Sequence, residues 1–102
     1  MSKQPKFTQD EMRQLAKSYS YIRQSFNFSR EEAASAIFVS AATIGNLENG
    51  IAISKAMGHH LWLMYSDYLY ELTVSHEIDK VSAESIQKHL DIIGRALYGK
   101  EY

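Results

Sequence analysis

The sequence predicts an all-α fold of about five helices. Two capping boxes are present, one at Thr8 and Glu11 and one at Ser29 and Glu32, and each is typical of a helix start. Apolar residues recur with helical spacing, whereas no stretch alternates with period two for long enough to predict a strand. The chain has 102 residues, of which 45% are hydrophobic, so one packed core and a single domain over 1–102 are expected.

The first helix is predicted from Gln9 to about Phe26. Its apolar positions share one face, and the capping box at Thr8 opens it. Pro5 is the only proline of the chain and no helical pattern precedes the box. Residues 1–7 are therefore expected to form a flexible arm.

Two short helices are predicted next. The capping box at Ser29 opens a helix that ends at about Ile37, and residues 38–40 form a tight connection. The third helix starts at Ser40 or Ala41 and ends at Asn49-Gly50, a pair typical of a helix C-terminus.

Two longer helices are predicted in the second half. Ser54 caps a helix whose apolar face continues to Leu72, and Gly58 is expected to divide it. The last helix is predicted over 82–98, where Ser82 begins it and Gly99 ends it. Its apolar face consists of Ile86, Leu90, Ile93 and Leu97.

Residues 29–50 carry the strongest functional pattern. A small residue, Ala34, is placed where the two short helices cross, and four apolar residues form a wedge between them: Ile37, Val39, Ile44 and Leu47. These 22 residues resemble, without a gap, the helix-turn-helix of the lambda-repressor-like, Cro-type (XRE) family. The likeness extends loosely over 9–73. It implies a lambda-repressor-like core with an additional C-terminal helix, and double-stranded DNA as the partner.

The resemblance also implies which residues face DNA. Arg30 matches the position that lies against the DNA backbone, where a helix N-terminus also favours phosphate. The recognition helix and its start supply the other positions, which are Ser40, Ala41, Ala42, Thr43, Gly45 and Asn46. Except for Ser40, these residues are expected to point outward.

The recognition helix carries few groups that can identify a base. Only Thr43 and Asn46 can hydrogen-bond a base edge, and asparagine suits adenine. The alanines and the threonine methyl can contact a thymine methyl, which favours a site containing A·T pairs. Lys3, Lys6 and Lys55 are further candidates for phosphate contacts, although solvated lysines are an equal alternative for these three.

Phe38 departs from the family pattern, because the turn commonly has glycine at this position. A left-handed conformation there would cost a phenylalanine roughly 1 kcal/mol or more. The sequence therefore predicts that the turn is reshaped.

The charge is distributed unevenly along the chain. The net charge of −1 argues against nucleic acid, yet residues 1–30 carry six basic and two acidic side chains. The rest carries five basic and ten acidic side chains. The N-terminal part is expected to face phosphate, and the alternative is that both faces only keep the protein in solution.

Several classes of function are not expected. The chain has no cysteine, and its histidines lack the spacing of a helical metal pair, so neither a disulfide nor a metal site is predicted. There is no nucleophile motif, phosphate-binding loop or dinucleotide loop, so we predict no enzymatic activity and no cofactor. The longest apolar run is too short to cross a bilayer, and a cytoplasmic location is expected.

Two functions remain as hypotheses. The first is a sequence-specific regulator, a homodimeric repressor that occludes its operator and joins its subunits through the C-terminal helix. Alternatively, the C-terminal helix completes the core of the monomer and does not join subunits. The second function is a protein-interaction module, such as an antirepressor, an antitoxin or a polymerase-binding protein, built on the same scaffold.

Overall fold

The described part of the chain contains five helices. A computed structural model describes residues 7–51 and 54–99, and no strand occurs in these ranges. The helices are α1 (Gln9–Ser25), α2 (Arg30–Ile37), α3 (Ala41–Glu48), α4 (Lys55–Val74) and α5 (Lys80–Tyr98). The predicted all-α class is confirmed. None of the described helices combines the length and the apolar character that a membrane crossing needs.

Side-chain caps fix the starts of the helices. Both predicted capping boxes form, at Thr8 for α1 and at Ser29 for α2, and Ser40 and Ser54 cap α3 and α4. The expected start of the last helix at residue 82 is wrong by two residues. Asp79 is the cap of α5, and its carboxylate accepts the backbone N–H of residue 82 at 2.9 Å. These hydrogen bonds also lower the pKa of the Asp79 carboxyl.

Gly58 does not divide α4, which is continuous, and that expectation is wrong. The residue is instead a point of close approach, because a Cβ atom there would lie 2.9 Å from Cζ of Phe7. Its carbonyl accepts a hydrogen bond of 2.6 Å from the buried Tyr19 hydroxyl. Phe7 is itself buried, so the predicted arm is wrong at this residue, and residues 1–6 lie outside the described ranges.

The apolar face of α5 completes the core of the monomer. Ile86, Leu90 and Ile93 are each at most 1% exposed, because α5 packs against both α1 and α4. Leu97 is half-buried against the same core. The Trp62 indole donates to the Leu90 carbonyl at 2.8 Å and joins α4 to α5. The expectation that this face holds a dimer together is therefore wrong, and the alternative placement in the core is correct.

Candidate nucleic-acid interface

The two short helices form a compact pair held by the predicted wedge. The wedge residues that are fully buried are Ile37, Ile44 and Leu47. Val39 is half-buried beside them, and Ala34 is 7% exposed where α2 packs on α3. The His60 side chain donates from Nε2 to the Ile37 carbonyl at 3.0 Å, which ties α4 to the end of α2. Core packing thus fixes the orientation of α3.

Phe38 keeps the left-handed conformation in the turn between α2 and α3. Its φ is 62° and its ψ is 46°, and its backbone N–H donates to the Ala34 carbonyl. The expectation of a reshaped turn is wrong, because the Val39 N–H bonds the same carbonyl at 3.1 Å and closes the turn. The phenyl ring is 81% exposed, the largest exposure among the large hydrophobic side chains that are described.

An ion pair between Arg23 and Glu48 anchors α3 to α1. Arg23 Nε and Nη2 donate to the two carboxylate oxygens at 2.7 and 2.9 Å, and Nη1 donates to the Phe28 carbonyl at 2.6 Å. The Glu48 side chain is only 2% exposed. Hydrogen bonding to Glu48 raises the pKa of the Arg23 guanidinium above its usual value. Arg23 therefore holds the fold together and is not one of the free basic groups that the charge count suggested.

Arg30 lies along the surface of α3. Its Nε donates to Glu48 Oε1 at 3.4 Å, while its side chain stays 42% exposed. A Cβ atom added at Gly45 would lie 3.6 Å from Arg30 Nη1, which is ordinary van der Waals distance. The structure thus brings together two of the predicted site residues, Arg30 at the start of α2 and Gly45 in α3.

The outward surface of α3 is smaller than the sequence suggested. Ala42 and Asn46 are exposed, whereas Thr43 and Gly45 are half-buried. Ala41 packs against the core, so its expected outward position is wrong. The difference arises because α3 packs against both α1 and α2, which leaves only a narrow side of this short helix exposed.

Ser40 has a structural role at the start of α3. Its hydroxyl oxygen accepts the backbone N–H of Thr43 at 3.1 Å and lies 2.9 Å from the Thr43 hydroxyl. Both hydroxyl groups are thus already engaged with each other. This leaves Asn46 as the exposed polar side chain of α3 whose amide is best placed for an outside partner.

Positive charge is scarce within the segment that forms the two short helices. Residues 29–50 hold one basic residue, Arg30, against three acidic residues. One of the acidic residues is the paired Glu48, and another, Glu32, accepts the Ser29 backbone N–H at 2.8 Å, which lowers its pKa. Lys55 Nζ lies 5.8 Å from the centroid of the Phe7 ring, and Lys3 and Lys6 lie outside the described residues.

Two of the histidines, His59 and His89, take part in contacts between helices. His89 Nδ1 lies 3.3 Å from the Ser18 hydroxyl, its ring stacks on Tyr21 at 4.0 Å between centroids, and the His59 ring contacts Tyr98. Among the residues that the structure describes, no group of three histidine or carboxylate side chains lies close enough together to hold a metal ion.

No protein-family model matches the chain, and neither a curated protein nor a solved structure does. The resemblance of residues 29–50 to a helix-turn-helix therefore depends on the sequence pattern and on the geometry described above.

Proposed function

We propose that the protein binds duplex DNA through α3 and regulates transcription by occluding an operator. The observation that carries the proposal is the pairing of Arg30 with a recognition surface of short side chains, at Ala42, Gly45 and Asn46. Short side chains let a helix backbone approach base edges closely, and an arginine beside them can hold a phosphate.

The contact with Glu48 prepares Arg30 for this task. A guanidinium group has five N–H donors, and Glu48 engages one of them, on Nε. The remaining donors project from a side chain whose direction is already set, which lowers the entropy lost on binding phosphate. Since Arg30 is the one basic residue in 29–50, we expect it to contribute a large share of the phosphate affinity.

Base recognition is expected to be sparse. The Asn46 amide can bond adenine in two places, and the Ala42 methyl can contact a thymine methyl. DNA shape would add to the preference at positions that no side chain reaches. A homodimer would place two copies of α3 in successive major grooves of a palindromic site, and we propose that the protein acts in the cytoplasm.

The experiment is a selection of bound sequences from a random duplex library. The protein is then titrated against the most enriched sequence to measure its affinity. We expect an A·T-containing palindrome, a preference lost in Asn46→Ala, and weaker binding of all sequences in Arg30→Ala. Arg13→Ala is the matched control, because Arg13 is an exposed arginine on α1 paired with Asp10. Equal binding by the two arginine variants, with no enriched motif, would argue against the proposal.

A second candidate function, a protein-interaction module, is favoured by Phe38. An aromatic ring held in a left-handed turn and 81% exposed is typical of an anchor for a protein pocket, and the surrounding segment is more acidic than basic. An antirepressor, an antitoxin or a polymerase-binding protein would use such an anchor. Under this function, Phe38→Ser abolishes partner binding. Asn46→Ala and Arg30→Ala leave the outcome of the selection from the duplex library unchanged.

A further inference from the structure

The outer face of α4 carries a stripe of exposed apolar side chains, formed by Leu63, Tyr70 and Val74. They are 50%, 68% and 59% exposed. At 3.6 residues per turn the three lie within about 40° of one another around the helix, and they span about 16 Å along it. Single exposed apolar residues are ordinary on a protein surface, but three in one line are typical of a surface that is covered.

Tyr70 stands between two depressions. One is a shallow hollow of about 460 Å³, lined by Leu63, Met64, Ser66, Asp67 and Tyr70. The other is a groove of about 760 Å³ between the end of α4 and the start of α5, which Ser66 and Tyr70 also line. The tyrosine ring is thus a projection beside a hollow made by the residues that precede it on the same helix.

This stripe is its own complement when a second α4 lies against it in the opposite direction. In an antiparallel pair of helices, the residue numbers of any two facing positions add to the same total. Placing Leu63 of one copy opposite Val74 of the other therefore places Asp67 opposite Tyr70. The hollow that Asp67 helps to line then receives the Tyr70 ring of the second copy, and the symmetry repeats this contact. We propose that a second copy of this chain covers the stripe, with the two α4 helices antiparallel.

Chemical complementarity supports the second copy as the occupant. In this register the Tyr70 hydroxyl can donate to the Asp67 carboxylate of the other copy, so each polar group at the centre has a partner. The apolar side chains at positions 63 and 74 cover one another at both ends. A two-fold contact requires this self-complementarity, because one patch must serve both sides.

This inference rests on the homodimer of the proposed function, but its test needs no DNA. Failure of the interface and failure of DNA binding are therefore distinguishable. It also assigns dimerisation to a surface other than the apolar face of α5, which is already buried in the monomer.

Sedimentation velocity of the full chain, over a range of concentrations and without DNA, measures the association. We expect a dimer for the natural sequence and, for Tyr70→Glu, a dissociation constant raised about tenfold or more, since the new carboxylate would face Asp67. Tyr70→Lys should dissociate less, because its ammonium group would face the same carboxylate. Phe38→Glu, at an aromatic residue that is 81% exposed and lies outside the stripe, should stay dimeric. A monomeric natural protein, or a dimer broken only by Phe38→Glu, would overturn the proposal.

The register has its own test, because the chain has no cysteine of its own. Leu63→Cys and Val74→Cys proteins are mixed and oxidised, and disulfide-linked dimers are separated on a non-reducing gel. We expect the mixture to form more linked dimer than either variant alone, since only the mixture places two thiols opposite each other. Equal linking in all three samples would overturn the antiparallel register. Thermal unfolding of each variant, monitored by circular dichroism, checks that the fold is intact.

Discussion

The Arg23 guanidinium and the Glu48 carboxylate form a two-point ion pair, at 2.7 and 2.9 Å, that joins α1 to the last turn of α3. The same carboxylate is 3.4 Å from Arg30 Nε. One buried side chain therefore connects the core of the domain to the arginine that we expect to meet DNA.

Replacing Glu48 should destabilise the whole domain. Glu48→Gln removes the charge opposite Arg23, whose side chain is only 13% exposed, and breaking a pair of this kind costs about 3 kcal/mol. Urea unfolding measures the loss. Glu84→Gln is the control, because Glu84 makes an exposed pair with Lys80 at 3.9 Å and its loss should cost less than about 0.5 kcal/mol. Similar losses in both variants would contradict the structural role of Glu48.

Gly45→Ala should separate stability from DNA binding. The added methyl group fits, since its carbon would lie 3.6 Å from Arg30 Nη1, and alanine is favoured over glycine in a helix by about 1 kcal/mol. We therefore expect a higher melting temperature. If α3 approaches DNA closely at this point, affinity falls in the same variant. Unchanged affinity in a stabilised protein would remove Gly45 from the interface.

The left-handed turn should reverse the usual ranking of alanine and glycine. Phe38 has a φ of 62°, so Phe38→Gly relieves the strain whereas Phe38→Ala keeps it. We expect the glycine variant to be more stable than the alanine variant by about 1 kcal/mol. Because the ring is largely exposed, neither variant loses much buried surface. Chemical denaturation of the pair gives the difference, and a more stable alanine variant would contradict the turn geometry.

Stability should depend on the titration of His89. Burial, and to a lesser extent the nearby Lys88, lower the pKa of His89 below its ordinary value of 6.5. The unfolded chain then binds the proton more readily than the folded one, so this contribution to stability is present above about pH 6.5 and is lost as the pH falls through the lowered pKa.

Thermal unfolding between pH 8 and pH 5 tests the His89 prediction. The decline on acidification should be shallower in His89→Gln, which has no titrating ring at that position. Because Ser18 and Tyr21 contact the ring, the comparison uses the slope against pH and not the absolute stability. His76→Gln serves as the control, since His76 is exposed. An equal slope in the natural protein and in His89→Gln would contradict the prediction.

Local patterns predicted most of the fold. The capping boxes at Thr8 and Ser29 set the starts of α1 and α2 because those hydrogen bonds connect residues three apart in sequence. The start of α5 was missed because Asp79 and the serine at 82 are both good caps, and the sequence alone does not rank them. Gly58 was misread as a break because its partner, Phe7, is distant in sequence.

The candidate site was predicted only in outline for the same reason. Arg23 and Glu48 are 25 residues apart, and no short window contains both. A signal was present, since Arg23 follows Leu15 and Tyr19 at intervals of four and so shares their buried face. The partial burial of Ala41 depends on how α3 packs against α1 and α2, which periodicity within an eight-residue helix does not determine.

The position of Arg30 over Gly45 limits how this surface can evolve new preferences. A side chain at 45 long enough to reach a base would have to displace the guanidinium, and Glu48 would then lose its second partner. Positions 42 and 46 are exposed and carry no such penalty. If α3 binds DNA as proposed, substitutions that change its base preference should therefore arise first at these two positions, whereas positions 30 and 45 should change only together.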